Sequence, residues 1–441
     1  MYRYGFFLAV TVLLLTGTGL ARALTLDECV ALALRNNPDI RREELGVRLA
    51  DQAMREQKSR NLGRLDLVST YTHYNLPRTL APLTPASLGS DPAGVATTRN
   101  LFTGGITYEV ALFTGFADTR SVEIAALQKE MAASAFRVSR EQLIYNVRSL
   151  YVSILSAQEQ ARAQEAYADA LQRLHDKIAR ELELGKKARI DLLKAAADLE
   201  NARAVQNQIR NNIASLRSAL ASLLNIDRLG DLVTAGPTPP DLPAATTPAP
   251  DRLQHLARLR SARLAAEKEE TLARKAESVL YPQVLLTSAY GQNFGPNDQS
   301  NIYSGEWNSE QVWQAGLTLR WNIFDFGSSR ARIRQAKIAA RRSRYQEQAT
   351  KLSLRNNLQE AVARINTAIS DHSAARAELA LTRETVAIEQ VRFDQGAADI
   401  NDLLTARARN RLAQSRAIDA GFRYRTARYY LDYLLEQGEQ Q

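Results

Sequence analysis

Two stretches of this 441-residue chain decide its fold: ITYEVALFTGFADTR, from Ile106 to Arg120, and LTLRWNIFDFGSSRAR, from Leu317 to Arg332. Each reads as an alternating strand, a Phe/Gly turn and the start of a long polar helix. Each then leads to a second landmark, ELGKKARIDLLKAAADL around Gly185 and DQGAADINDLLTARARN around Gly396. Gly115 to Gly185 is 70 positions and Gly327 to Gly396 is 69. A period of about 211 residues is far beyond the ~20–50 of a solenoid, so the chain reads as one duplicated unit.

Working outward, residues 1–23 have the layout of a secretory signal: Arg3, an apolar Gly5–Leu15 run and an Ala21-Arg22-Ala23 cleavage pattern. No other stretch approaches the roughly 18 consecutive apolar residues of a spanning helix. Cys29, the single cysteine, reads as a packed helix residue and excludes an internal disulfide. Net charge is +9. For an exported chain this favours anionic lipid or solute over nucleic acid.

Thr25 with Glu28 three residues later forms a capping-box pattern, so a helix is expected from Leu26 to about Arg60, interrupted at Pro38. Strands are expected at 65–74, 106–113, 282–290 and 313–323, with a polar loop from Asn75 to Gly104. Residues 24–235 form the first repeat and 251–441 the second, joined by a proline-rich linker at 236–250. Trp313, Ala315, Leu317, Leu319 and Trp321 alternate with polar or small residues, as do Ile106, Tyr108, Val110 and Leu112. A soluble sheet shares that alternation. The strand length and the flanking aromatics, Trp313, Trp321, Tyr290 and Tyr108, favour a membrane barrel with interface girdles. Four strands cannot close one, because the smallest outer-membrane barrels have about eight, and open edges are not tolerated in lipid. If these strands lie in a membrane, several chains must share one barrel.

From Ala117 to Leu184 and from Ser328 to Gln395 the chain carries neither proline nor internal glycine. Each run is roughly 100 Å of helix. Leu143, Val147, Leu150 and Ile154 recur at alternating 4 and 3 spacing, as do Leu358, Val362, Ile365 and Ile369, which is a coiled-coil seam. The return segments, 190–227 and 400–435, are shorter, and helices at 26–60 and 252–279 complete the length.

The opening LTLDECVALALRNNPDI, the junctions TGFADTRSVEIAA and FGSSRARIRQAK, and the tips GKKARIDLLKAAADL and GAADINDLLTARA together resemble the TolC family of outer-membrane efflux and secretion channels. The resemblance implies a mainly α chain with a small membrane β-barrel. Long antiparallel coiled-coil hairpins and four strands per chain would give, in a homotrimer, a 12-stranded barrel and a helical tunnel across the periplasm. It implies location in the outer membrane of a Gram-negative bacterium, no catalysis and no cofactor. The implied partners are a periplasmic adaptor (membrane fusion) protein and an inner-membrane RND or ABC-type transporter. It also implies a gate at the hairpin tips, where Asp191 and Asp402 match the family's aspartates. Phe393 stands where the best-known member has a tyrosine, and Ala398 where it has an arginine. Lys186, Lys187 and Arg189 crowd the first tip and Asp399 and Asp402 the second, so Arg189 is expected to pair with Asp399 or Asp402 of a neighbouring hairpin. Equally, Asp191 and Asp402 read as first-turn acids favoured by the helix dipole.

Arg320, Arg330, Arg332, Arg334, Lys337, Arg341, Arg342 and Arg344 follow a strand closely. They meet lipid headgroups, line the pore or form a salt-bridged helix face. The histidines, His73, His175, His255 and His372, are scattered, and no Cys/His cluster has metal-ligand spacing. No nucleophile elbow or phosphate loop is present. Two other readings remain: a periplasmic adaptor and a structural coiled-coil spacer.

Overall fold

A computed structural model describes residues 23–90, 95–233, 242–246, 253–298 and 306–438. The expected signal segment therefore lies outside the described residues except for Ala23, and the expected linker except for residues 242–246. The chain divides into two compact units. One comprises residues 1–40, 140–247 and 357–441, and the other residues 41–139 and 248–356.

Helix α1 spans Leu26–Asn36, and the Thr25/Glu28 capping box forms as the sequence indicates, with Thr25 N donating to Glu28 Oε2 at 2.8 Å. The break at Pro38 has a physical cause. A residue before proline is pushed out of the α region, and Asn37 sits at φ −64, ψ 125. Its Oδ1 then accepts from Asp39 N at 2.9 Å and begins α2, Pro38–Arg60. Proline suits that first helical position because its missing N–H would be unpaired anyway.

The two long helices, α4 (Ala117–Glu183) and α7 (Ser328–Asp394), are each 67 residues. Their returns are α5 (Arg189–Leu224) and α8 (Ile400–Leu434). A short α3 (Pro85–Ser90) lies between the first two strands, and α6 (Ala257–Ala276) leads through a 3-10 turn into the third. Helix starts, helix ends and tip glycines are all displaced by 211 positions (117 to 328, 183 to 394, 185 to 396). The junction glycines break that step only in order: Gly115-Phe116 and Phe326-Gly327 are both pairs of residues with positive φ.

In the first unit, hydrophobic seams close on themselves. Leu171 and Ile178 of α4, Leu199 of α5 and Leu403 of α8 are buried in one cluster with Phe393 and Ile400. Each such side chain contributes about 1.5–3 kcal/mol of burial. The second unit holds all four strands, with Lys129–Asp51 at 2.7 Å and Arg260–Glu130 at 2.9 Å among its surface ion pairs.

The strands are β1 (Arg64–Thr79), β2 (Thr97–Phe113), β3 (Gln283–Pro296) and β4 (Trp307–Arg320), in antiparallel order β1-β2-β3-β4. Much of the expected loop from Asn75 to Gly104 is thus strand. β1 continues past a register shift between His73 and Arg78, and this edge-strand irregularity accommodates Pro77, which lacks an N–H for the ladder. Conversely, β4 ends at Arg320, paired with Gln283, rather than at Ile323. Beyond that pair the neighbouring strand offers Pro282, and Trp321 instead donates its indole N–H to Leu280 O at 3.2 Å.

Cys29 is 0% exposed. Burial first, and the Glu28 carboxylate second, push its thiol up to about 11. In detergent at pH 8, Ellman's reagent is expected to leave Cys29 unmodified until guanidinium unfolds the chain. Rapid stoichiometric labelling of the folded protein would contradict this packing.

Candidate functional site

The registers of the four strands sort their side chains onto two faces. One row runs Leu67, Ile106, Tyr290, Trp313; the next Leu65, Tyr108, Ser288, Ala315; then Val110, Leu286, Leu317, and last Val284 with Leu319. The opposite face carries Arg64, Glu109, Thr287 and Gly316, then Asp66, Thr107, Ala289 and Gln314. The apolar face is solvent-exposed in the single chain: Leu67 is 83% exposed, Trp313 73% and Leu317 68%. A water-soluble sheet would not leave such a face bare.

The aromatics sit differently from the expectation that they mark strand ends. Tyr290 and Trp313 are direct cross-strand neighbours in mid-strand. Beyond them the same face turns polar, with Ser69, Gln292 and Gln311 in the adjoining row. Trp313 therefore marks the upper limit of the apolar rows, not of the strand. From Trp313 to Trp321 is about 26 Å of extended chain. Tyr108 donates its phenol to Leu62 O at 2.8 Å, which holds the start of β1. A second aromatic group lies above, where Phe102 stacks on Phe294 at 5.4 Å and Trp307 lies tilted against Phe102 at 5.2 Å. The strands outrun the apolar band, which the sequence reading missed because it stopped β2 and β3 short.

On the polar face Gly105 stands opposite Gly291. A Cβ on Gly105 would lie 2.6 Å from Tyr290 O and 2.7 Å from Gly291 Cα. Two bare backbones meeting on one face let the strands coil tightly toward that face.

The hairpin tips are built by backbone rather than by side chains. At the first, Gly185 has φ +72, Gly185 N donates to Leu182 O and Lys186 N to Glu181 O at 2.8 Å. At the second, Gly396 has φ +75, with Gly396 N to Phe393 O and Ala397 N to Arg392 O at 2.8 Å. Both are Schellman closures, in which a glycine takes the left-handed position at no steric cost. Helices α5 and α8 then restart four positions after the glycine.

Arg189, Asp399 and Asp402 are exposed and Asp191 half-buried. Among the described residues, Arg189, Asp191 and Asp402 have no ion-pair partner within the chain. Asp399 stands at the N-cap of α8 without capping it; its carboxylate accepts from Asn401 Nδ2 at 2.7 Å. Asp191 and Asp402 occupy the first turns of α5 and α8, where the helix dipole favours them. Phe393 departs from the gate expectation: it is 2% exposed, part of the chain's own core, with Lys187 Nζ over its ring at 4.0 Å.

Contacts between the two hairpins of one chain were not anticipated. Lys177 Nζ meets Asp394 Oδ1 at 2.7 Å, and this bond is the main reason the Asp394 carboxyl is held below its ordinary range. Arg407 Nη1 donates to Ala170 O at 3.0 Å and its other Nη to Gln390. A signal for the first existed. Asp394 ends α7, where the dipole disfavours an acid, so a nearby cation is favoured. In the basic cluster, Lys337 pairs with Glu277 at 2.8 Å and Arg344 with Glu270, so the salt-bridged reading holds for those two. Arg330, Arg334, Arg341 and Arg342 have no ion-pair partner among the described residues. No group of three or more His, Cys, Asp or Glu residues suited to a metal occurs among the described residues. No described helix is long and apolar enough to cross a membrane.

The chain matches the outer membrane efflux protein family over residues 29–225 and 250–435. It is 30% identical over 311 residues to the probable efflux pump outer membrane protein SepC of Pseudomonas putida. That alignment covers 69% of this chain and spans 61% of the relative's length. It is 23% identical to the outer membrane efflux protein BepC of Brucella suis, over 88% of this chain and 79% of BepC. In fold it is similar to a membrane protein from Pseudomonas aeruginosa, with a TM-score of 0.79 and 20% identity over 93% of each chain. The Campylobacter jejuni CmeC outer membrane channel has a TM-score of 0.78 and 18% identity, over 94% of this chain and 86% of CmeC. With one face of its sheet bare and apolar, and this family's match running through both halves, the chain belongs to the outer membrane efflux protein family and resides in the outer membrane.

Proposed function

We propose that three copies of this chain close one 12-stranded barrel and one helical tunnel, forming the passive exit duct of a tripartite efflux pump or type I secretion system. The observation that carries this reading is a four-stranded sheet with an exposed apolar face and two unpaired edges, β1 and β4. In hydrocarbon each unpaired backbone group costs several kcal/mol, so the edges must be joined to other copies. Trp313 and Tyr290 at one limit of the apolar rows, and Trp321 at the other, act as the interface girdles. A periplasmic adaptor and an inner-membrane RND or ABC-type transporter supply cargo and energy. A free-standing adaptor or coiled-coil spacer has no use for a lipid-type sheet face.

The helices beside the two edges support the same join. Leu45 and Leu49 on α2, which leads into β1, are 59% and 73% exposed. On α7, which follows β4, Ile338, Tyr345 and Leu352 recur every seven residues and are 65%, 71% and 67% exposed. An edge-to-edge join brings α2 of one copy beside α7 of the next, and these stripes cover each other. Leu49→Asp and Tyr345→Asp are each expected to lower the temperature at which the detergent-extracted trimer dissociates, read by semi-native gel electrophoresis. Wild-type dissociation in both variants would contradict the seam.

At the tips, Arg189 of one hairpin pairs with Asp399 or Asp402 of the neighbouring copy and narrows the bore, while Asp191 and Asp402 also stabilise their helix starts. Phe393 belongs to the packing beneath. An exposed pair contributes about 0.2–1 kcal/mol, which bounds the effect of its loss at about fivefold. Arg189→Ala is expected to raise single-channel conductance or open time in planar bilayers by about two- to fivefold. Unchanged conductance would leave these residues as helix-start charges only.

A further inference from the structure

A groove of about 780 Å³ lies in the first unit, lined by α4, α5, α7 and α8. Its volume falls in the range of small-molecule sites, about 300–1,000 Å³. Small residues, Ser156 and Ala363 among them, line it together with Tyr145, Phe422 and Tyr430. Tyr145 stacks on Tyr433 at 5.4 Å, which fixes one wall from behind.

The groove's charges are unequal. Arg364 is matched by Glu360 at 2.6 Å and also lies over the Tyr430 ring, 5.7 Å from its centroid. Arg423 is matched by Asp419 at 2.6 Å. Asp371, also in the lining, has no partner among the described residues. Arg425 lies over the Phe422 ring, 5.4 Å from its centroid, so Phe422 and Tyr430 each already hold a guanidinium. The site thus offers rings that accept cations, with Tyr145 beside them, and one uncompensated carboxylate.

Its direction follows from helix geometry. Tyr151 of α4 donates to Val233 O at 2.7 Å and Leu24 O at 3.2 Å, and Tyr424 of α8 to Pro243 O at 3.2 Å. These tyrosines mark the helix faces covered by the chain's connecting segments. Ser156 and Gln160 on α4, and Phe422 and Thr426 on α8, lie roughly 140–200° around from them at 3.6 residues per turn. Connecting segments inside a bore would fill it, so in the duct reading, on which this step rests, they lie outside and the groove faces the lumen.

We infer that this groove is a transit site in the tunnel wall for planar aromatic monocations, which stack against Tyr145, Phe422 and Tyr430 and meet the Asp371 carboxylate. Aromatic faces attract a cation weakly, enough for brief retention and too little to trap cargo.

The test is fluorescence anisotropy of ethidium with the purified full-length protein in maltoside detergent, with the anionic dye fluorescein as comparison. Ethidium is expected to bind with one saturable site per chain, and fluorescein no better than to empty micelles. Asp371→Asn is expected to weaken ethidium about fivefold, the upper range for an exposed pair, and Tyr430→Ala by a similar factor. Equal ethidium affinity in wild type and both variants, or equal affinity for the two dyes, would overturn the proposal. Conductance of the same preparations separates the two readings. Channels that conduct but bind no ethidium refute the transit site alone, whereas a protein that binds ethidium without conducting refutes the duct.

Discussion

The backbone of an edge strand has nowhere to go in hydrocarbon. In this chain, four strands expose Leu67, Trp313 and Leu317 on one face, and β1 and β4 stand unpaired at the margins. Water would penalise the face, and lipid would penalise the edges. Only a closed, shared sheet satisfies both. In the proposed duct the duplication serves that end, because two copies of one strand pair in each chain would multiply into an even-stranded barrel. The glycine pair Gly105 and Gly291 removes the side chains that would hold the strands apart on the polar face.

The helices obey the same division between self-sufficiency and lending. Near the tips the chain buries its own core, with Leu171, Ile178, Leu403 and Phe393 packed together and Lys177–Asp394 joining the two hairpins. Beside the sheet Leu49, Ile338 and Tyr345 are left bare, and near the tips Leu184, Ile190, Leu193 and Val391 are bare as well. In the proposed duct both units therefore lend apolar surface to neighbouring copies.

How much was legible beforehand depended on range. The capping box, the Pro38 break, the tip glycines and both long helices are local features, and each residue carries its own reason. The strand ends were less legible. Gly105, next to the expected loop, serves a close approach between strands, which only the partner strand explains. Pro77 argued against a strand and is tolerated because β1 is an edge with a register shift. Phe393 illustrates a different limit: a resemblance assigned it to a gate, whereas its burial depends on Leu171 and Leu403 from distant parts of the chain. Trp313 opens one expected strand and Tyr290 closes another, and their mid-strand position is visible only once the ladder extends beyond them.

Amide hydrogen exchange of the detergent-extracted protein tests the shared sheet most directly. If the edges are joined between copies, the outward-pointing N–H groups of β1 and β4 should be protected as strongly as those between β2 and β3. Slow exchange in β2 and β3 beside free exchange along both edges would mean the sheet stays open, and the account would fail.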